Sequence, residues 1–135
     1  MSFLRKTTLL PGVRNGSSEQ ELLGFQLQLL RDVVRERPDY PEAVLLCGNL
    51  LTTAHQHQKA LASDRHGTAI DPANPVMWYN LACSLALTDH PTEALDTLEK
   101  AIDLGFSDAQ LMAKDPDLDP IRNLPRFHAL TARIG

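Results

Sequence analysis

Small residues return at a fixed spacing in this chain, and that spacing restricts its fold more than any other feature. With Pro41 and Pro75 set as equivalent, 34 residues apart, Leu51 falls on Leu85, Ala60 on Ala94 and Leu61 on Leu95. Gly48 falls on Ala82 and Gly67 on Ala101. Each large buried side chain gains a helix roughly 1.5–3 kcal/mol. A sequence that sets Gly or Ala at matching points of successive units forgoes that gain to let something approach closely. A self-similar period of this length is the mark of stacked supersecondary units.

Each unit reads as two helices. In the second, PVMWYNLACSLAL carries apolar residues at 78, 81, 82 and 85 on one helical stripe. Asp89-His90-Pro91 breaks it, because a residue before proline is pushed out of the α region. A second helix then buries Ala94, Leu95, Leu98, Ala101 and Ile102 and stops at Gly105. The first unit repeats the plan: PEAVLLCGNLLTTA, a polar His-Gln-His-Gln turn, and KALASDRHGTAI closed by Asp71-Pro72. Close crossings are expected where Gly48 and Ala82 meet Ala60 and Ala94, with Gly67 and Ala101 admitting the next unit.

These positions resemble the tetratricopeptide repeat. The second unit has Trp78, Leu81-Ala82, Leu85, Ala94, Leu98 and Ala101 where that family's pattern has its large and small residues. It departs at Phe106, where proline is usual. The first unit has Val44, Cys47-Gly48, Leu51, Ala60, Gly67 and Pro72, and departs at Asp64, where a bulky apolar residue is usual. The resemblance covers 41–108 strongly and 18–40 in part. Downstream, Asp115, Pro116, Asp117, Leu118, Ile121, Arg122, Pro125 and Phe127 are similar to the truncated last repeat of many bacterial members. Ser18-x-x-Glu21 has the form of a capping box opening a helix that ends before Pro38.

The expected architecture is therefore all-α: a short right-handed α-solenoid of two full helix pairs, with an amino-terminal helix and a carboxy-terminal helical cap. Residues 1–17 read as a flexible amino-terminal segment, 18–40 as that helix, 41–74 and 75–108 as the repeats and 109–135 as the cap. One domain is what 135 residues allow.

Charge and composition exclude several functions. Residues 75–108 hold one Lys against six Asp and Glu. An acidic middle without a basic stripe argues against nucleic acid as partner. No apolar run approaches the roughly 18 residues that cross a bilayer, and the amino end lacks the apolar stretch of a secretory signal. Cys47 and Cys83 have no CxxC partner and read as reduced thiols of a cytoplasmic protein.

Metal and catalytic readings are weak. His55 and His57 share a turn, and His90 lies in the equivalent turn of the next unit. Those turns should stand about 10 Å apart, too far to converge on zinc. Cys47 holds a buried position; Cys83 is expected to face the groove, with no base placed to lower its pKa. No cofactor and no enzymatic activity are expected.

The resemblance implies instead a non-catalytic module that binds a peptide or protein segment in a concave groove. Its first helices would present Glu42, Leu45, Leu46, Asn49, Thr52 and Thr53, then Val76, Tyr79, Asn80, Cys83, Ala86 and Leu87. The contact residues expected are Leu45, Asn49, Thr52, Tyr79, Asn80, Cys83 and Lys114. Asparagine offers both a donor and an acceptor to a peptide backbone. In chaperone-binding members two asparagines and basic residues grip a terminal carboxylate, and Asn49, Asn80 and Lys114 stand at comparable places. Leu45 replaces one clamp lysine. The alternative is a self-associating protein, a homodimer formed through the amino-terminal helix or an uncovered end of the stack.

Overall fold

A computed structural model describes the backbone of residues 16–135 and the side chains from residue 18 onward. The described residues are all helical, with no strand. In chain order the helices are α1 (Gly16–Glu36), α2 (Pro41–Thr53), α3 (His57–Ile70), α4 (Pro75–Leu87), α5 (Pro91–Asp103) and α6 (Ala109–Lys114). A 3-10 helix (Pro116–Ile121) and α7 (Pro125–Ala132) follow.

Proline opens α2, α4, α5 and α7. At a first helical position its fixed φ fits the turn and its missing N–H costs nothing. Asn74 adds a side-chain cap to α4, its Oδ1 accepting from the Val76 N–H at 3.0 Å. The ends share one device. Gly105 sits at φ 111°, with its N–H on the Ile102 carbonyl and the Phe106 N–H on the Ala101 carbonyl. This pair of reverse bonds around a left-handed residue is a Schellman closure. His55 (φ 59°) and Asp89 (φ 64°) close α2 and α4 in the same way without glycine. His and Asp are among the few side chains that tolerate this region.

Residues 1–15 lie outside the described residues, so the flexible reading of 1–17 bears on the structure only at its last two positions. There α1 begins at Gly16, two residues before the expected start, and Ser18 lies inside its first turn instead of at a cap.

Consecutive helices pack on each other: α1 on α2, α2 on α3, α3 on α4 and α4 on α5, with α2 also touching α4. The 3-10 helix packs on α4, and α7 on α5. Gly67 admits the second unit as expected, since a Cβ there would meet Met77 Sδ at 2.9 Å. Gly48 makes a different contact. A Cβ on it would collide with the Asp64 carboxylate rather than with Ala60. Asp64 is buried and accepts from the Ser84 hydroxyl at 2.5 Å, so the departure from the apolar pattern ties α3 to α4.

Two apolar clusters result. The larger joins α4, α5 and the cap, with Leu85, Leu98, Met112, Leu118 and Ile121 fully enclosed. The smaller holds Leu27, Cys47, Leu50, Leu51 and Ala60 beneath α1. Arg122 binds the carbonyls of Met112 and Ala113 at 2.8 and 2.7 Å and stacks over Phe127, fastening α6 to the cap.

Candidate functional site

The positions expected to face a groove are mostly buried on α4 and divide between buried and open on α2. On α4, Tyr79, Asn80 and Cys83 are almost wholly buried. What covers Tyr79 and Cys83 is the chain's own cap. The Tyr79 hydroxyl donates to Asp115 Oδ2 at 2.7 Å, and its ring stacks on Phe106 with centroids 4.3 Å apart. The Cys83 thiol reaches the same carboxylate oxygen at 4.0 Å. Asp115 is itself fully buried, and its Oδ1 accepts from the Asp117 N–H at 3.0 Å, opening the 3-10 helix. Burial, then the neighbouring Cys83 and Asp115, pushes the Tyr79 phenol far above its usual range. It therefore stays a donor, as its acceptor requires.

Four of the expected contact residues are thus corrected as groove surface at once. Tyr79 and Cys83 are sealed under the cap. Asn49 and Asn80 face each other inside the stack, Asn80 Nδ2 donating to Asn49 Oδ1 at 3.4 Å. Thr52 is a fifth, buried with its hydroxyl on the Gly48 carbonyl at 3.1 Å. The carboxylate clamp is closed by the same geometry. Lys114 is exposed at the end of α6, but the two asparagines it would accompany point inward.

What stays open lies along α2. Leu45 is half-buried, Leu46 is 45% exposed, and Thr53 is half-buried seven positions further on the same stripe. That stripe leads to a cleft of about 390 Å³ lined by Thr52, Thr53, His55, His57, Leu87, Pro116 and Asp117. Thr53 and Leu87 are repeat equivalents, so the cleft sits where both first helices end. A second cleft, about 500 Å³, lies on the other side of His55 between α1 and the α2–α3 turn, with Leu23, Gly24 and Leu27 on one wall.

Cys83, Asp115 and Asp117 bring their ligand atoms within 4.8 Å of one another. Both oxygens of Asp115 already accept hydrogen bonds, and one of those bonds builds the 3-10 helix, so the grouping has a structural account. Cys47 is also buried, and burial raises its thiol pKa against the opposing pull of Arg31, which keeps it a poor nucleophile. The His55 and His57 rings meet edge to face at 5.8 Å.

The sequence reading missed Asp115 as the lid on α4 and Asp64 as an inter-helix tie. An aromatic hydroxyl at a groove position needs an acceptor once covered, and an Asp before a Pro-opened turn offers one. That pairing was the available signal. Among the described residues no helix is long and apolar enough to cross a membrane. No protein-family model matches the chain, and no curated protein matches it.

Proposed function

We propose that this chain is a non-catalytic protein-binding module of the tetratricopeptide type, a short helical stack that holds a peptide segment along α2. The observation that carries the reading is the contrast of stripes. Leu46 is exposed and Leu45 half-buried on α2, whereas their equivalents on α4, Asn80 and Tyr79, are buried, Tyr79 beneath the cap. An apolar edge leading into a cleft with threonine and histidine walls suits an extended peptide. Its apolar side chain would enter the cleft while its backbone meets the polar rim. A binding role is favoured over a catalytic one because the grouped Cys83 and Asp115 are buried away from any substrate. Two buried thiols suit work in the cytoplasm.

The test is peptide selection on the immobilised chain, followed by anisotropy titration of the selected sequences. Leu46→Asp should weaken their binding by at least about tenfold, roughly 1.4 kcal/mol, with helicity unchanged. Selected peptides that bind Leu46→Asp as tightly as the parent would overturn the site.

A further inference from the structure

Two histidines of the α2–α3 turn stand where this fold favours other residues. His55 closes α2 at φ 59°, in a region that suits glycine or asparagine. His57 opens α3 at the place where Pro91 opens α5 one repeat later. Of the four repeat helices, α3 alone lacks a proline start, and its N-cap makes no side-chain bond. Neither choice serves the turn itself, yet both rings line the cleft of about 390 Å³. Their centroids are 5.8 Å apart. Two imidazoles on one zinc, each nitrogen about 2.0–2.1 Å from the metal, set their centroids roughly 5–6 Å apart. The Nδ1 of His57 is buried without a hydrogen-bond partner, so that nitrogen gives up no bond when the ring turns to an ion. The cap brings a third donor to the same cleft, the half-buried carboxylate of Asp117.

We propose that His55, His57 and Asp117 hold a dication of the zinc class in this cleft. Imidazole nitrogen with a carboxylate oxygen suits zinc and its neighbours, whereas magnesium prefers oxygen donors throughout. Three protein ligands leave one tetrahedral position for water or for a donor carried by a guest. The rival home for an ion is the grouping of Cys83, Asp115 and Asp117, whose ligand atoms lie within 4.8 Å of one another. There Cys83 and Asp115 are sealed, and Asp115 already accepts from the Tyr79 hydroxyl and the Asp117 N–H. Asp117 belongs to that grouping and also lines the cleft, so its carboxylate turns from the one toward the histidines when the ion arrives. The hydroxyls of Thr52 and Thr53 donate to backbone carbonyls of α2 and are not needed as ligands.

Calorimetric titration of zinc chloride into the full chain, in a buffer that does not chelate, tests this. The parent should bind one zinc per chain and take up no magnesium. His55→Asn keeps a residue that tolerates the left-handed turn. His57→Pro copies Pro91, and Gln56 before it (φ −95°, ψ 68°) already has nearly the conformation of His90 before Pro91 (φ −121°, ψ 67°). Both variants should therefore keep the parent's helicity by circular dichroism. Each should raise the zinc dissociation constant by about tenfold or more, and Asp117→Asn should weaken binding in the same direction. Cobalt(II) in place of zinc should give ligand-field bands without thiolate charge transfer. A parent that binds no zinc overturns the proposal, as does zinc affinity indifferent to either histidine or to Asp117. Thiolate bands with cobalt would move the ion to Cys83 and overturn it equally. The proposal does not rest on the peptide reading: zinc is titrated with no peptide present, so the two fail separately.

Discussion

The two 34-residue units share a plan but not an environment. At the second unit the cap returns onto α4, and Tyr79 vanishes between Phe106 and Asp115. At the first unit nothing described returns onto α2, and Leu45, the repeat equivalent of Tyr79, stays half-buried. The inner contact differs as well. The second unit pairs Ala82 with an apolar helix face that includes Leu98; the first pairs Gly48 with the buried carboxylate of Asp64. One repeat has thus been completed with apolar bulk and a lid. The other keeps a polar seam and an open side. Position in the pattern therefore does not decide exposure; what packs next to the unit does.

The largest effect should come from removing the lid's main partner. Tyr79→Ala should cost about 3–5 kcal/mol in denaturant unfolding, as for a fully buried aromatic. Leu45→Ala at the equivalent place should cost less than about 1 kcal/mol. Equal losses would erase the distinction between the units. Gly48→Ala should be next, at about 1–3 kcal/mol, because the new methyl displaces the Asp64 carboxylate from Ser84. Adding Asp64→Leu rebuilds the Ala82 and Leu98 pairing of the second unit and should recover much of that loss. If the double variant is worse than the single one, the polar seam contributes more than geometry alone explains.

A smaller gain should follow at the left-handed closures. His55→Gly and Asp89→Gly each relieve a positive φ and should raise stability by roughly 0.5–1 kcal/mol, as thermal unfolding would read. A gain at one turn alone would show that the two turns are not equivalent.

The smallest effect concerns the bridge between units. Arg65 binds Glu93 through two hydrogen bonds of 2.8 and 3.1 Å, and that pairing lowers the Glu93 pKa while raising that of Arg65. With its folded pKa below the unfolded one, Glu93 stabilises above the unfolded value and loses that contribution as pH falls through the folded value. Both side chains are nearly half exposed, so solvent screening holds the effect to about a few tenths of a kcal/mol. Glu93→Gln should flatten the acid limb of the stability curve by that amount and no more.

Much of the helical layout was legible because it rests on local rules. Proline starts, the glycine stop at Gly105 and the apolar periods of α4 and α5 place their helices to within a residue or two. The role of Gly67 was legible too, since it depends on a neighbour one step along the repeat. Asp64 was not, because a carboxylate at an apolar position makes sense only beside Gly48 and Ser84 together, which lie on two other helices. The site suffered most. Tyr79 and Asp115 are 36 residues apart, and neither reveals the other without the fold that joins them.

The Tyr79–Asp115 bond also acts as a ruler. Since the chain's own tail fills the trough along α4, a guest is left the stretch of α2 from Leu45 to Thr53. Eight helical steps measure about 12 Å, and an extended chain advances about 3.3 Å per residue. Under the proposed peptide-binding role, that stretch spans about three or four residues of a guest, a very short word.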